Sequence, residues 1–72
     1  MSLPRFFLLD HTGPVAEGSV VRLNPEATRH LKALRLRPGQ ALEAVLPGGL
    51  WRCDLAVLDR DRAEARLVAP LE

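Results

Sequence analysis

The sequence has 72 residues, of which 47% are hydrophobic and 26% are charged, and its formal net charge is +1. A chain this short forms one domain at most, and such a domain buries only ~60% of the surface that the unfolded chain exposes. The balanced charge and high apolar content exclude a disordered chain. The charge also excludes a nucleic-acid binder that relies on overall positive potential.

The single cysteine, Cys53, excludes an intrachain disulfide. Its place in an alternating apolar run predicts a buried, unreactive thiol. Two histidines, one cysteine and scattered carboxylates provide no convincing metal site. The sequence has no recognisable signal peptide and no apolar run near the ~18 residues of a membrane span. We therefore expect a cytoplasmic protein.

Two short strands are predicted in the first third of the chain. Residues 5–9 form an apolar run rich in Phe, and residues 19–23 contain adjacent valines, which favour β structure. Between these runs, residues 10–18 carry the Asp, Gly and Pro residues that are typical of a loop.

The next segment predicts a helix. Residues 24–26, Asn-Pro-Glu, combine a favourable N-cap, a proline for the first helical position and an acid near the positive end of the helix dipole. A narrow apolar stripe follows at helical spacing, formed by Ala27, Leu31 and Leu34. Arg29 and Lys32 fall on the opposite face, with His30 at the border. Residues 38–39, Pro-Gly, end the segment.

Three further strands are predicted in the second half of the chain, at residues 41–46, 50–58 and 63–69. They are joined by a Pro-Gly-Gly turn and by a charged turn, at residues 47–49 and 59–62. The longest run alternates, so one face of it should carry Trp51, Cys53, Leu55 and Val57.

The order β-β-α-β-β-β predicts a mainly β fold with one helix. Five short strands in a small domain favour a closed or nearly closed β-barrel, with the helix plugging one end. Closure also removes the exposed strand edges that promote aggregation. We expect the core to bring together Phe6, Leu31, Trp51, Leu55 and Val57.

A cluster of basic residues is the main candidate for function. Arg29, Lys32, Arg35 and Arg37 lie within nine residues, and Glu26 is the only acid nearby. Such a cluster can neutralise several phosphates. The alternative is a solvated helix face with a polar exit loop. The sequence has no nucleophile with a neighbouring base, and residues 47–49 lack the spacing and the lysine of a phosphate-binding loop.

Short motifs give the chain a resemblance to a known family. The first is Arg5-Phe6-Phe7. The second comprises His30, Leu31, Leu34, Arg35 and Gly39, and a glycine-rich turn before an aromatic residue follows at residues 48–51. In this order and spacing the motifs resemble the N-terminal domain of the RsmE family, with Pro4 in place of a His, Ala33 in place of a Val and Gln40 in place of an Asp.

The resemblance implies a fold, a partner and an enzyme. RsmE-family proteins are ribosomal RNA methyltransferases that modify N3 of a uridine in the small-subunit RNA. Their N-terminal PUA-like barrel grips this RNA, and a knotted SPOUT domain binds S-adenosylmethionine and forms a homodimer. Residues 1–72 would then be the PUA-like domain, with the SPOUT domain expected after residue 72. The fragment would hold no cofactor and would not be catalytic alone.

The resemblance also assigns roles to individual residues. It implies that Arg5, His30, Arg35 and Arg37 face 16S ribosomal RNA, and local charge adds Arg29 and Lys32 at the rim of this face. Two other interpretations stay open. One is a stand-alone RNA-binding module, and the other is a small barrel that binds protein and uses its arginines only for solubility.

Overall fold

The computed structural model of the chain describes residues 3–71. In this range it contains one helix and five strands: β1 (Arg5–Phe7), β2 (Val20–Arg22), α1 (Pro25–Ala33), β3 (Ala41–Leu46), β4 (Gly49–Leu58) and β5 (Ala63–Leu71). The predicted mainly β fold with one helix is confirmed, including the order of its elements.

The strands form one five-stranded sheet in the order β1-β3-β4-β5-β2. β1 pairs with β3 in parallel, and the other three pairs of neighbouring strands are antiparallel. β1 and β2 form the two edges of this sheet and do not pair with each other. The predicted barrel is therefore not closed by hydrogen bonds, and an open seam separates β1 from β2.

Burial along β4 departs from the predicted alternation. Phe6, Leu31 and Leu55 lie in the core as expected, whereas Trp51 and Val57 are only half-buried. A bulge between Leu55 and Val57 shifts the register against β5. Because an extra residue in one strand interrupts the two-residue period, Val57 no longer shares the inward face of Leu55. The sequence pattern does not reveal the bulge.

The start of α1 is formed as predicted. Asn24 is the N-cap, and its side-chain Oδ1 accepts a hydrogen bond from the backbone N–H of Ala27 at 2.7 Å. The Thr28 hydroxyl donates to the Asn24 carbonyl at 2.9 Å. Ala27, Thr28 and Leu31 form the buried face of the helix.

The end of α1 differs from the prediction. The helix ends at Ala33, with Leu34 as its C-cap, and Leu34 is 47% exposed although the apolar stripe predicts its burial. Leu36 packs against the core in its place. The reason is a reversal of the backbone just after the helix, which turns Leu36 back under the last turn.

Candidate nucleic-acid interface

β1 presents Arg5 and Phe7 outward, because successive strand residues face opposite sides and Phe6 is buried between them. The Arg5 Nε donates to Glu43 Oε1 at 3.0 Å. Glu43 is the partner of Arg5 in the parallel β1–β3 register. An ion pair this exposed adds little to stability. It does hold the guanidinium in place through Nε alone, which leaves the terminal Nη groups available to a ligand.

His30 lies on the face of α1 that borders β1. Its ring meets the buried Phe6 ring edge-on, with the ring centroids 5.4 Å apart and the planes at 71°. This is a favoured geometry for aromatic pairs, and it holds the imidazole against the strand. Sequence spacing alone could not have paired His30 with Phe6, because the two residues belong to different elements.

Arg5 and His30 line the same surface cavity, which has a volume of about 400 Å³. We call it the β1–α1 cleft; its other lining residues are Phe6, Phe7, Asn24, Glu26 and Ala27. The structure therefore brings together two of the predicted RNA-facing residues. Two further members, Phe7 and Glu26, were not among the predicted site residues. The alternation of β1 could have indicated Phe7, since it lies two residues after Arg5.

Arg29 and Lys32 line a different cavity, of about 330 Å³, together with Arg60 and Asp61 from the turn between β4 and β5. Lys32 Nζ donates to the backbone carbonyl of Arg60. Lys32 thus tethers the helix to this turn. The structure does not place Arg29 and Lys32 in the β1–α1 cleft.

Arg35 occupies an unusual position just after α1. Its backbone φ is +58°, which lies in the left-handed region that favours glycine. The Arg35 N–H donates to the Lys32 carbonyl at 3.0 Å, and the Leu36 N–H donates to the Leu31 carbonyl at 3.1 Å. These two bonds define a Schellman motif, whose left-handed residue is usually glycine. An arginine at this position therefore holds a strained backbone conformation, and its side chain is exposed.

Arg37 begins a tight turn that ends at Gln40. The Gln40 N–H donates to the Arg37 carbonyl at 3.1 Å, and Gln40 Oε1 accepts from the Arg37 N–H at 2.7 Å. Pro38 and Gly39, whose φ is +96°, fit the two central positions of a type II turn. Gln40 differs from the Asp of the RsmE motif, and in this chain its side chain closes the turn.

The turn is also fixed to β4. The Gly39 N–H donates to the Leu55 carbonyl at 2.7 Å, and the Leu55 N–H donates to the Gln40 carbonyl at 2.9 Å. We call residues 34–40 the α1–β3 loop. Hydrogen bonds at both ends of the loop hold the backbones of Arg35 and Arg37, so the two exposed arginines project from an ordered support.

Cys53 is fully buried, and its Sγ donates to the Trp51 carbonyl at 3.7 Å. Burial and the nearby Asp54 carboxylate raise the pKa of the thiol from 9.0 to about 11. A thiol in this environment is a packing residue and a poor nucleophile. Residues 3–71 contain no group of three potential metal ligands, and no helix among them is long and apolar enough to cross a membrane.

The raised pKa of Cys53 predicts a loss of stability in alkali. The unfolded thiol ionises near pH 9, while the folded thiol keeps its proton to about pH 11. Its contribution is therefore present below pH 9 and is lost as the pH rises from 9 to 11, by about 2 kcal/mol. Urea unfolding of wild type and Cys53→Ala across this range measures the effect. A decline equally steep in both proteins would contradict the assignment.

The family of the chain follows from comparison with known proteins. A family model described as the RNA methyltransferase PUA domain matches residues 23–68, and the chain belongs to this family. The match includes α1 and the α1–β3 loop. None of the curated proteins matches the sequence.

Solved structures agree with this assignment. A ribosomal RNA small subunit methyltransferase E from Neisseria gonorrhoeae, bound to S-adenosyl methionine, is 31% identical, with a TM-score of 0.81 over 96% of this chain. A predicted RNA methyltransferase from Thermotoga maritima is 26% identical, with a TM-score of 0.73 over 96%. A putative methyltransferase from Legionella pneumophila, also solved with its cofactor, shares the fold at 20% identity and a TM-score of 0.84 over 100%.

The family match and the likeness to the Neisseria protein confirm the resemblance to the RsmE family. The chain spans only 28% to 30% of the length of these three proteins.

Proposed function

We propose that this chain is the RNA-binding domain of an S-adenosylmethionine-dependent methyltransferase that modifies N3 of a uridine in 16S ribosomal RNA. In this proposal residues 1–72 position the RNA of the small ribosomal subunit. A SPOUT domain beyond residue 72 binds the cofactor, forms a homodimer and carries out the reaction in the cytoplasm. The observation that carries the proposal is the family match over residues 23–68, a stretch that contains His30, Arg35 and Arg37.

The distribution of charge supports an RNA-binding role. With a net charge of +1 the chain has little long-range attraction for a polyanion, so its affinity has to come from local contacts. The α1–β3 loop presents Arg35 and Arg37 from a support fixed by hydrogen bonds, and Arg5 is held by Glu43. Because Glu43 already holds the Arg5 guanidinium, less side-chain entropy is lost when Arg5 contacts a phosphate. For Arg35 and Arg37 it is the backbone that is fixed, which sets the point from which each side chain reaches the RNA.

The salt dependence of RNA binding tests this role. We expect the chain to bind a fragment of small-subunit ribosomal RNA, and Arg37→Ala to flatten the slope of log affinity against log salt by ~0.7 to 0.9, the value for one lost phosphate contact. Arg66→Gln is the matched control, since Arg66 is an exposed arginine on β5, outside the cleft and the loop. Fluorescence anisotropy at several salt concentrations measures both slopes.

Two results would contradict the proposal. If wild type binds no RNA, the role of the domain is wrong and a protein-binding barrel is favoured. If Arg37→Ala and Arg66→Gln change the slope equally, the chain binds RNA through its overall charge and not through the loop.

A further inference from the structure

We propose that the β1–α1 cleft holds one unpaired nucleotide of single-stranded RNA, with its base stacked on Phe7 and its phosphate bound by Arg5. This inference rests on the proposed RNA-binding function and adds the kind of RNA that the cleft selects. It predicts a preference for loops or unpaired strands over duplex.

Phe7 is the first observation. Its side chain is 63% exposed, although phenylalanine is among the residues most often buried. It faces outward from β1 on the same side as Arg5 and lines the same cavity. Residues two apart in a strand are ~7 Å apart, so an aromatic face and a fixed cation lie within the span of one nucleotide. RNA-binding proteins commonly stack unpaired bases on such aromatic side chains.

The opposite wall of the cleft supplies groups suited to a base edge. The Asn24 Oδ1 is engaged in capping the helix, so its amide NH₂ remains to donate to a base carbonyl. The Glu26 carboxylate accepts hydrogen bonds only, which suits a base N–H and repels a phosphate. Charge therefore orients the nucleotide: its phosphate lies at Arg5, and the pairing edge of the base that stacks on Phe7 points towards Glu26 on the helix side.

A duplex does not fit this arrangement. In a duplex the bases are stacked and paired, so their faces cannot reach Phe7 and their pairing edges cannot reach Glu26. Contacts with a duplex would be limited to phosphates, for which Glu26 is unfavourable. The cleft has a volume of about 400 Å³, and both rings of the Phe6–His30 pair line it.

The test compares the substitution Phe7→Leu with Phe7→Tyr. Leucine keeps the apolar character and removes the ring, whereas tyrosine keeps the ring. Leu9→Ala is a further control, because Leu9 is also 63% exposed and lies outside the cleft. The probes are a ten-nucleotide single-stranded RNA and a duplex of the same sequence. We expect Phe7→Leu to weaken single-strand binding about tenfold, the scale of one lost stacking contact. The other two variants should stay within about twofold of wild type.

The readouts separate this inference from the function on which it rests. Stacking is uncharged, so Phe7→Leu should leave the salt slope unchanged, whereas Arg5→Gln should flatten it by ~0.7 for single-stranded RNA. Duplex binding should be unaffected by Phe7→Leu. If wild type binds neither RNA, the proposed function fails. If wild type binds the single strand and Phe7→Leu matches Phe7→Tyr, or weakens duplex binding as much, the nucleotide cleft is wrong while the RNA-binding function stands.

Discussion

Replacing Arg35 with glycine is expected to weaken RNA binding while making the domain slightly more stable. Glycine lacks the guanidinium, so we expect the affinity for RNA to fall about tenfold, which is the scale of one charge-assisted contact. It also relieves a left-handed backbone strain of ~1–2 kcal/mol. Glycine makes the unfolded chain more flexible, which offsets ~0.4–1 kcal/mol of that gain. The net gain is about 0.5–1 kcal/mol, or a few degrees in melting temperature for a domain of this size.

Arg35→Ala is the matched control for this experiment. Alanine also lacks the guanidinium, but it retains the strain of the left-handed conformation. Both variants should therefore bind RNA equally weakly, with a slope against salt that is flatter by ~0.7 to 0.9, and only the glycine variant should melt above wild type. Thermal melts and anisotropy titrations of the three proteins provide the comparison. If either variant binds RNA with wild-type affinity, Arg35 is not part of the interface.

Truncating Leu31 to alanine is expected to remove about half of the free energy of unfolding of the domain. Leu31 is fully buried under α1, and its carbonyl accepts the hydrogen bond from Leu36 that closes the Schellman motif. Leucine-to-alanine changes in cores cost ~2–5 kcal/mol. A domain of this length has a total stability of about 4–10 kcal/mol, so the loss is about half of the total.

Leu34→Ala removes the same atoms from the same segment, but Leu34 is 47% exposed, so we expect it to cost less than ~1 kcal/mol. Urea denaturation followed by the fluorescence of Trp51, the single tryptophan, measures both variants. Similar midpoints for the two variants would mean that the helix packs through a different face.

Sequence signals from neighbouring residues predicted the elements that such neighbours stabilise, namely β3 and the start of α1. The residue bounds of β3 agree with the structure, because turn residues at 38–39 and 47–49 enclose the apolar run on both sides. The start of α1 agrees because Asn24, Pro25 and Glu26 each favour a helix N-terminus. The end of α1 was placed too late, at residues 38–39. The true end carries an arginine at the position where glycine is the usual signal, so the reversal could not be inferred from residue type.

The candidate site depends on longer-range pairing. The ion pair between Arg5 and Glu43 requires parallel pairing of β1 with β3, and no local pattern encodes this register. The motif resemblance identified Arg5 and His30, and the structure places them in one cleft. It gave no indication of Phe7 as a separate binding residue. Helical spacing put Arg29 and Lys32 opposite the apolar stripe, but only the tertiary fold could show that they line another cavity.

The parallel pairing of β1 also has a consequence for the order of folding. β3, β4 and β5 are joined by short turns, so they can form a meander through local contacts. β1 contributes three residues at an edge of the sheet. It can dock only after β3 has formed, and its Arg5 is 38 residues away in sequence from its partner Glu43 in β3. Short edge strands of this kind are among the first segments to open in a folded protein. Because β1 carries both Arg5 and Phe7, the cleft exists only while β1 is docked, and any ligand that occupies the cleft holds this edge strand in place.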